Sequence, residues 1–315
     1  MPGFHLPFYG AVADGLFADY GLRVELVESA PGAERVRQLA SGAGDFLLTA
    51  SLYYLQALTQ DGALPVRFVS VVHQRSSVAV LVREDSDLFA AADVEGCRLA
   101  GPPDGVGLGW LVAECCEGLA RLGVGQPERV ELDYAQAVVA LGEGTVDAIA
   151  DLAERAPLVA RRAGVPLRAI PVGGAAYLSG VAAGDWVPSH LVARMCSAVA
   201  VTLERQRHEP QRGLGELVSD HPAVDREEAL ASWLLLEPFV FVDDGPGGMG
   251  ERRWAETVRC AAAVHGTAAF AASRMVRSCG SSPSRSQQRR PRKVRRQAAN
   301  VSAAGPTVMC PGCER

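Results

Sequence analysis

His5-Leu6-Pro7-Phe8-Tyr9, then Ala11-Val12-Ala13-Asp14-Gly15-Leu16-Phe17, then Gly42-Ala43-Gly44-Asp45-Phe46, are the stretches whose reading decides the fold. Apolar residues recur at helical spacing over 7–20, and Gly21 closes that run. Arg23-Val24-Glu25-Leu26-Val27 reads as a strand, and a short helix follows over 31–41. Phe46-Leu47-Leu48 is an apolar run of the kind buried on both faces of a parallel sheet. It gives way to the polar turn Thr49-Ala50-Ser51.

Working outward, strand and helix signals alternate as far as residue 182. Strands are expected at 23–28, 45–49, 66–72, 78–83, 97–100, 129–132, 147–150, 166–171 and 177–182. Helices are expected at 7–20, 31–41, 51–60, 106–122, 135–142 and 152–163. After Pro188 the pattern turns helical, at 188–207, 225–236 and 250–272, with Phe239-Val240-Phe241 the one strand-like run. Such alternation argues for α/β layers around mostly parallel sheets.

The opening segments resemble the family of alkanesulfonate-, nitrate- and thiamine-pyrimidine-binding proteins. In that family H-x-P-F-Y precedes A-x-x-x-G-L-F-x-x-x-G-L-x-V, and G-x-x-D-F follows. Ser76-Ser77-Val78-Ala79-Val80-Leu81-Val82-Arg83-Glu84-Asp85-Ser86 is similar to the family's hinge strand. The resemblance implies an α/β, two-lobe periplasmic-binding-protein type II fold with two hinge crossings. The first lobe would hold 1–76 and 183–272, the second 77–182, with 273–315 a disordered basic tail. The crossings would be the strands at 78–82 and 177–181. Relatives also carry a buried strand before H-x-P-F-Y that is not found at this point of the sequence. Its absence would leave two neighbouring strands with unpaired backbone groups.

Composition bounds the function classes. With 48% hydrophobic and 21% charged residues, the chain is globular in character. The net charge of −5 is uneven: residues 257–315 hold eleven basic residues and one acid, and 1–256 carry −15. No run of 18 uncharged apolar residues occurs, so no transmembrane segment is expected. The start, Met1-Pro2-Gly3-Phe4-His5, has none of the parts of a signal peptide. A cytoplasmic location is expected as written, or a periplasmic or other extracytoplasmic one if the true start lies upstream. Cysteines 97, 115, 116, 196, 260, 279, 310 and 313 are scattered, which reads as reduced thiols. Cys310-Pro311-Gly312-Cys313 lacks the second pair a structural zinc site needs, so no metal is expected. Residues 277–315 have no apolar period and are rich in Ser, Pro and Arg. They read as disordered, either a basic arm that polyanions attract or a non-native C-terminus, with no specific nucleic-acid partner.

Ligand-facing candidates follow from the resemblance and from local chemistry. His5, Phe8 and Tyr9 lie where relatives place a ligand loop, though Phe8 and Tyr9 also suit the core face of a helix. Thr49 and Ser51 end a strand and open a helix, where a hydroxyl caps or holds an anion. Gly101-Pro102-Pro103-Asp104-Gly105-Val106-Gly107-Leu108-Gly109 bares backbone amides at a helix start, with Gly105 and Gly107 the candidates. Its spacing is not that of a dinucleotide fingerprint. Asp151, after a buried strand, could accept from a ligand amine or cap a helix. Gln74, Ser76 and Ser77 border the first crossing, and Tyr177 opens the second. His73, His190, His208, His221 and His265 form no metal-binding spacing and read as surface or structural.

Two enzymes share the implied fold. The thiamine-pyrimidine synthase requires a histidine after the second strand and a cysteine cluster at the return crossing. Here the helix reads Leu52-Tyr53-Tyr54, and 171–180 holds no cysteine. The aromatic sulfinate desulfinase requires a first-lobe cysteine, and none precedes Cys97. The expected function is therefore ligand binding without turnover, in the substrate-binding component of an ABC-type importer. Its ligand would be a small nitrogen- or sulfur-containing solute and its partner an ABC permease. Cofactors are not expected, and a monomer is. The alternatives are a cytosolic enzyme of thiamine-pyrimidine biosynthesis and an inactive partial copy.

Overall fold

Two five-stranded sheets organise the computed structural model, which describes residues 2–104, 107–242, 245–265 and 307–311. The chain opens with α1 (Pro2–Ala13) and α2 (Leu16–Asp19). The single helix expected over 7–20 is split because Gly15 takes φ 69°, a conformation that a side chain would strain. There follow β1 (Glu25–Ser29), α3 (Glu34–Ala40), β2 (Phe46–Ala50), α4 (Ser51–Asp61) and β3 (Val66–His73).

The chain then crosses to the second sheet. It runs through β4 (Val78–Arg83), a 3₁₀ turn at Ala91–Val94, β5 (Arg98–Gly101) and α5 (Gly109–Arg121). It continues as β6 (Glu128–Glu131), α6 (Tyr134–Glu143), β7 (Ala148–Leu152), a 3₁₀ turn at Ala153–Arg155, α7 (Ala156–Ala163) and β8 (Leu167–Pro171). The return crossing leads into β9 (Ser179–Gly184), then α8 (Ser189–His208), α9 (Leu214–Asp220), α10 (Arg226–Val240) and α11 (Glu251–His265). The last described element is β10 (Thr307–Pro311).

Strand order is β1-β10-β2-β9-β3 in one sheet and β6-β5-β7-β4-β8 in the other. Each sheet is mixed, with one antiparallel strand. β9 runs against β2 and β3, and β4 runs against β7 and β8. In both cases it is the first strand after a crossing. β9 pairs throughout with the first sheet, so 179–182 belongs there and not with the second lobe as the sequence reading divided it.

The tail brings the main correction. Residues 307–311, expected to be disordered, form β10 in parallel register between β1 and β2, with Glu25 opposite Thr307 and Leu47 opposite Met309. The physical reason is the one that made a missing strand costly: two sheet strands would otherwise present unpaired backbone groups to each other. The rest of the expected tail, with residues 266–306 and 312–315, lies outside the described residues. Two smaller corrections concern helices. Phe239 and Val240 end α10 and are not a strand, and α9 was not foreseen.

Side-chain alternation builds the core. In β2, Phe46 and Leu48 join Phe8, Met195, Leu203 and Trp233 on one face, while Leu47 joins Val36, Leu39 and Leu55 on the other. In β4, Val78, Val80 and Val82 face one cluster, and Ala79 and Leu81 face another with Leu141 and Ile149. Both strands are largely apolar because both faces are covered.

Candidate functional site

The C-terminal ends of β2, β3, β5 and β7 converge on the crossings, and the polar groups of the candidate site are there. In open α/β sheets this edge is where ligands bind. Because the crossings are short, residues at the ends of β3 and β9 meet residues that follow β7.

His73 ends β3 with its ring fully buried. Its Nδ1 is hydrogen-bonded to the hydroxyl of Ser179, the first residue of β9. Its Nε2 lies 3.3 Å from Glu154 Oε1, which arrives from the 3₁₀ turn after β7. Neither carboxylate oxygen of Glu154 has a hydrogen bond among the described residues, and both are buried. Phe4 stacks on His73 with ring centroids 5.2 Å apart, and the His5 ring centroid lies 5.4 Å from that of Phe4. His5 is 2% exposed, and its Nε2 also has no hydrogen bond among the described residues. Burial, with neighbouring positive charge that includes Arg35 and His221, holds its pKa well below the ordinary histidine range. His5 is therefore a neutral imidazole.

Arg35 on α3 is buried and places its guanidinium 5.6 Å from the centre of the Tyr53 ring. Tyr53 on α4 meets Trp110 on α5 edge-on, with centroids 6.3 Å apart. Trp110 Nε1 donates to the Tyr53 hydroxyl at 3.3 Å, so one aromatic pair ties the two lobes together.

The sequence candidates divide. His5 joins this group. Phe8 is 1% exposed and packs in the first-lobe core. Tyr9 points elsewhere: its hydroxyl is hydrogen-bonded to His221 at 2.7 Å. It lines an outer groove of about 580 Å³ with Val12, Glu25, Glu216 and Asp220. Thr49 is buried, its hydroxyl donating to Ala50 O at 3.3 Å. Ser51 does not cap α4 as expected. Ala50 is the cap residue, and the Ser51 hydroxyl donates to Tyr177 O at 2.5 Å and Leu178 O at 3.2 Å, tying the helix start to the return crossing.

Gln74 and Tyr177 are drawn together by the segment after α10. Gln74 Nε2 donates to Gly245 O at 2.9 Å and Gly248 O at 2.8 Å. The Tyr177 hydroxyl accepts from Gly250 N at 2.7 Å, and Arg253 reaches over the Tyr177 ring to the Gln74 carbonyl. Ser76 donates to Glu114 of α5, a carboxyl whose pKa burial raises. Asp151 is fully buried and already satisfied by Tyr134, by Arg155 at 3.1 Å and by Leu152 N at 2.7 Å, and burial raises its pKa as well. Gly105 lies outside the described residues, while Gly107 takes φ 51°. A side chain at Gly109 would collide with the Pro103 carbonyl, which explains the glycine there.

Sequence reasoning missed Arg35, Tyr53, Trp110, Glu154 and Ser179, and took His73 for surface or structural. Position alone could have found His73 and Glu154, since each stands at or just after the C-terminal end of an apolar strand. Among the described residues no group of three or more His, Cys, Asp and Glu side chains could hold a metal.

A family model described as NMT1/THI5 like matches residues 3–177. The chain belongs to this family. No curated protein matches it. Among solved structures, the periplasmic aliphatic sulphonate binding protein SsuA from Escherichia coli aligns with TM-score 0.65 at 16% identity, covering 96% of each chain. The alkanesulfonate-binding protein SsuA from Xanthomonas axonopodis pv. citri, bound to MOPS, aligns with TM-score 0.55 at 16% identity, over 80% of this chain and 86% of that one. A point mutant of DszB in complex with biphenyl-2-sulfinic acid aligns with TM-score 0.54 at 14% identity, over 82% and 88%. At these identities the likeness is one of fold, the two-lobe periplasmic-binding-protein fold with two crossings. No helix among the described residues is long and apolar enough to cross a membrane.

Proposed function

We propose that this chain is the solute-binding component of an ABC-type importer, taking a small nitrogen- or sulfur-containing organic molecule between its lobes and releasing it unchanged. The observation that carries the reading is the set of buried polar groups where the two sheets meet. His5 Nε2 from one lobe and the Glu154 carboxylate from the other are both without hydrogen bonds among the described residues. Buried polar groups are costly unless paired, and a ligand is the partner that would pair them. Function then consists of a difference in affinity between open and closed lobes.

The likeness to the sulfonate-binding proteins of Escherichia coli and Xanthomonas supports a sulfonate-like solute, a permease partner and a location outside the cytoplasm. A desulfinase-like reaction is disfavoured by the cysteines. None precedes Cys97. Burial pushes the Cys97 thiol up to about 11 and the Cys115 thiol well above its ordinary value, so neither is a ready thiolate. Calorimetry against alkanesulfonates, taurine, nitrate and thiamine pyrimidines tests the proposal. Binding of one class without consumption is expected, and turnover of any of them by the purified protein overturns it.

A further inference from the structure

The outer groove between α1, β1 and α9 is lined by three acids, Glu25, Glu216 and Asp220, and by no basic residue. All three acids are exposed. Neighbouring carboxylates have partners: Asp14 holds Arg212, and Glu28 stands 3.8 Å from His221. Glu25, Glu216 and Asp220 form no ion pair among the described residues. The floor between them is apolar, with Val12, Val24 and Leu26, and Val12 is 40% exposed. A surface that is apolar below and acidic at the rim fits arginine side chains. Their methylene stems lie on apolar surface while the guanidinium reaches a carboxylate.

The chain carries an arginine-rich segment, and the fold brings it to this place. Residues 285–296 hold seven basic residues and no acid. β10 lies beside β1 with Thr307 opposite Glu25, so the chain entering β10 passes a residue that lines the groove. The intervening residues 297–306 carry no charge and can span up to about 35 Å, enough to set the basic segment along the groove.

We propose that residues 285–296 dock in this groove of their own chain, with guanidinium groups on Glu25, Glu216 and Asp220 and stems on Val12, Val24 and Leu26. The groove is built from first-lobe elements alone, so the contact is separate from the cleft between the lobes. Tethering raises the effective concentration of the segment to roughly the millimolar range, so pairs that are weak singly act together. Docking holds the approach to β10 against β1, and it competes with polyanions for the same basic residues.

Lys293 is the only lysine of the chain, and it lies within the segment. A carbodiimide joins an amine to a carboxylate as an amide with no spacer. In the full chain at low salt it should couple Lys293 to Glu25, Glu216 or Asp220. That product should be lost near 1 M salt, where the Debye length falls to about 3 Å. This measurement needs no variant to fold. Neutralising the exposed rim with Glu25→Gln, Glu216→Gln and Asp220→Asn adds no tryptic site. It should speed tryptic cleavage within 285–296 on the order of tenfold, the combined effect of a few exposed pairs, and leave cleavage at Arg274 and Arg277 unchanged. Coupling of Lys293 mainly to carboxylates outside the groove, coupling between two copies, or an unchanged cleavage rate within 285–296 in the variant overturns the proposal.

Discussion

The two sheets have the same plan and are assembled differently. Sheet two takes all five strands from one stretch, β4 to β8 over 78–171. Sheet one is gathered from three: β1 to β3 over 25–73, β9 at 179–184, and β10 at 307–311. The piece that arrives last in the chain sits second in strand order, so its loss would unpair β1 from the rest of the sheet. A contiguous sheet can form from local contacts, whereas a gathered one must close long loops first, at an entropic cost. Sheet one therefore depends on the carboxy-terminal strand in a way that sheet two does not.

Deleting 305–315 should have the largest effect. It removes β10 and leaves the facing backbone groups of β1 and β2 unpaired. At about 1 kcal/mol per hydrogen bond, loss of the ladder amounts to several kcal/mol, comparable to the whole stability of a domain. The melting temperature should fall by about 10 °C or more, or folding should fail. Hydrogen exchange should rise first over 25–29 and 46–50 and leave 78–171 protected. An unchanged melting temperature would show that β10 does not pair.

This is where the sequence was least legible. Nine strands were readable, the central ones as apolar runs bounded by turns, as in Val78-Ala79-Val80-Leu81-Val82, and edge strands such as Glu128-Arg129-Val130-Glu131 from their place in the strand–helix alternation. The tenth, Thr307-Val308-Met309, has the same local character between Gly305-Pro306 and Pro311-Gly312. It was hidden by the Arg- and Ser-rich residues before it, because composition averaged over a long window says nothing about five residues within it. The site was partly legible for a related reason. His5 was named from the resemblance carried by its segment, and Ser51 from its position where a strand ends and a helix opens. Arg35 looks like an ordinary helix-surface residue until tertiary packing buries it, and such residues are seldom buried, whereas Glu154 carried a positional signal just after the end of β7.

The next test concerns the two antiparallel strands. β4 is built mostly of larger residues, but β9 reads Ser179-Gly180-Val181-Ala182-Ala183-Gly184. A Cβ on Gly180 would press on the Ser70 carbonyl and lie 2.7 Å from the Phe68 ring. Gly180→Ala should therefore cost about 1–3 kcal/mol, read from denaturant unfolding. A neutral result would mean that sheet one has slack at its centre.

Glu114 probes the boundary between the sheets, where Ser76 of the crossing donates to it. Burial raises its pKa, so between the unfolded value near 4.5 and the higher folded value the native state holds more protons than the unfolded one. Stability from this group is thus greatest below that window and is lost as pH rises through it. Glu114→Gln should raise the melting temperature at pH 8, by a few degrees for a change of about 1 kcal/mol, and change it little near pH 4. An equal shift at both pH values would assign the effect to packing.

The smallest effect is expected on the outer rim of sheet two. Arg129 of β6 holds Asp104 with two hydrogen bonds, at 2.9 and 3.0 Å, and so fastens the glycine-rich loop that follows β5. Both side chains are substantially exposed, and such pairs contribute less than about 1 kcal/mol and weaken with salt. Arg129→Met should hardly move the melting temperature, and what little change occurs should vanish in high salt. The pair lowers the Asp104 pKa, chiefly through its hydrogen bonds to Arg129, so the stability it lends is present above the unfolded value near 3.8 and is lost as pH falls through the lower folded value. If the loop takes part in closing the lobes, the variant should slow ligand association in stopped-flow measurements while leaving the unfolding midpoint in place. A large drop in stability would mean that the second sheet, although contiguous, relies on its edge as much as the first relies on β10.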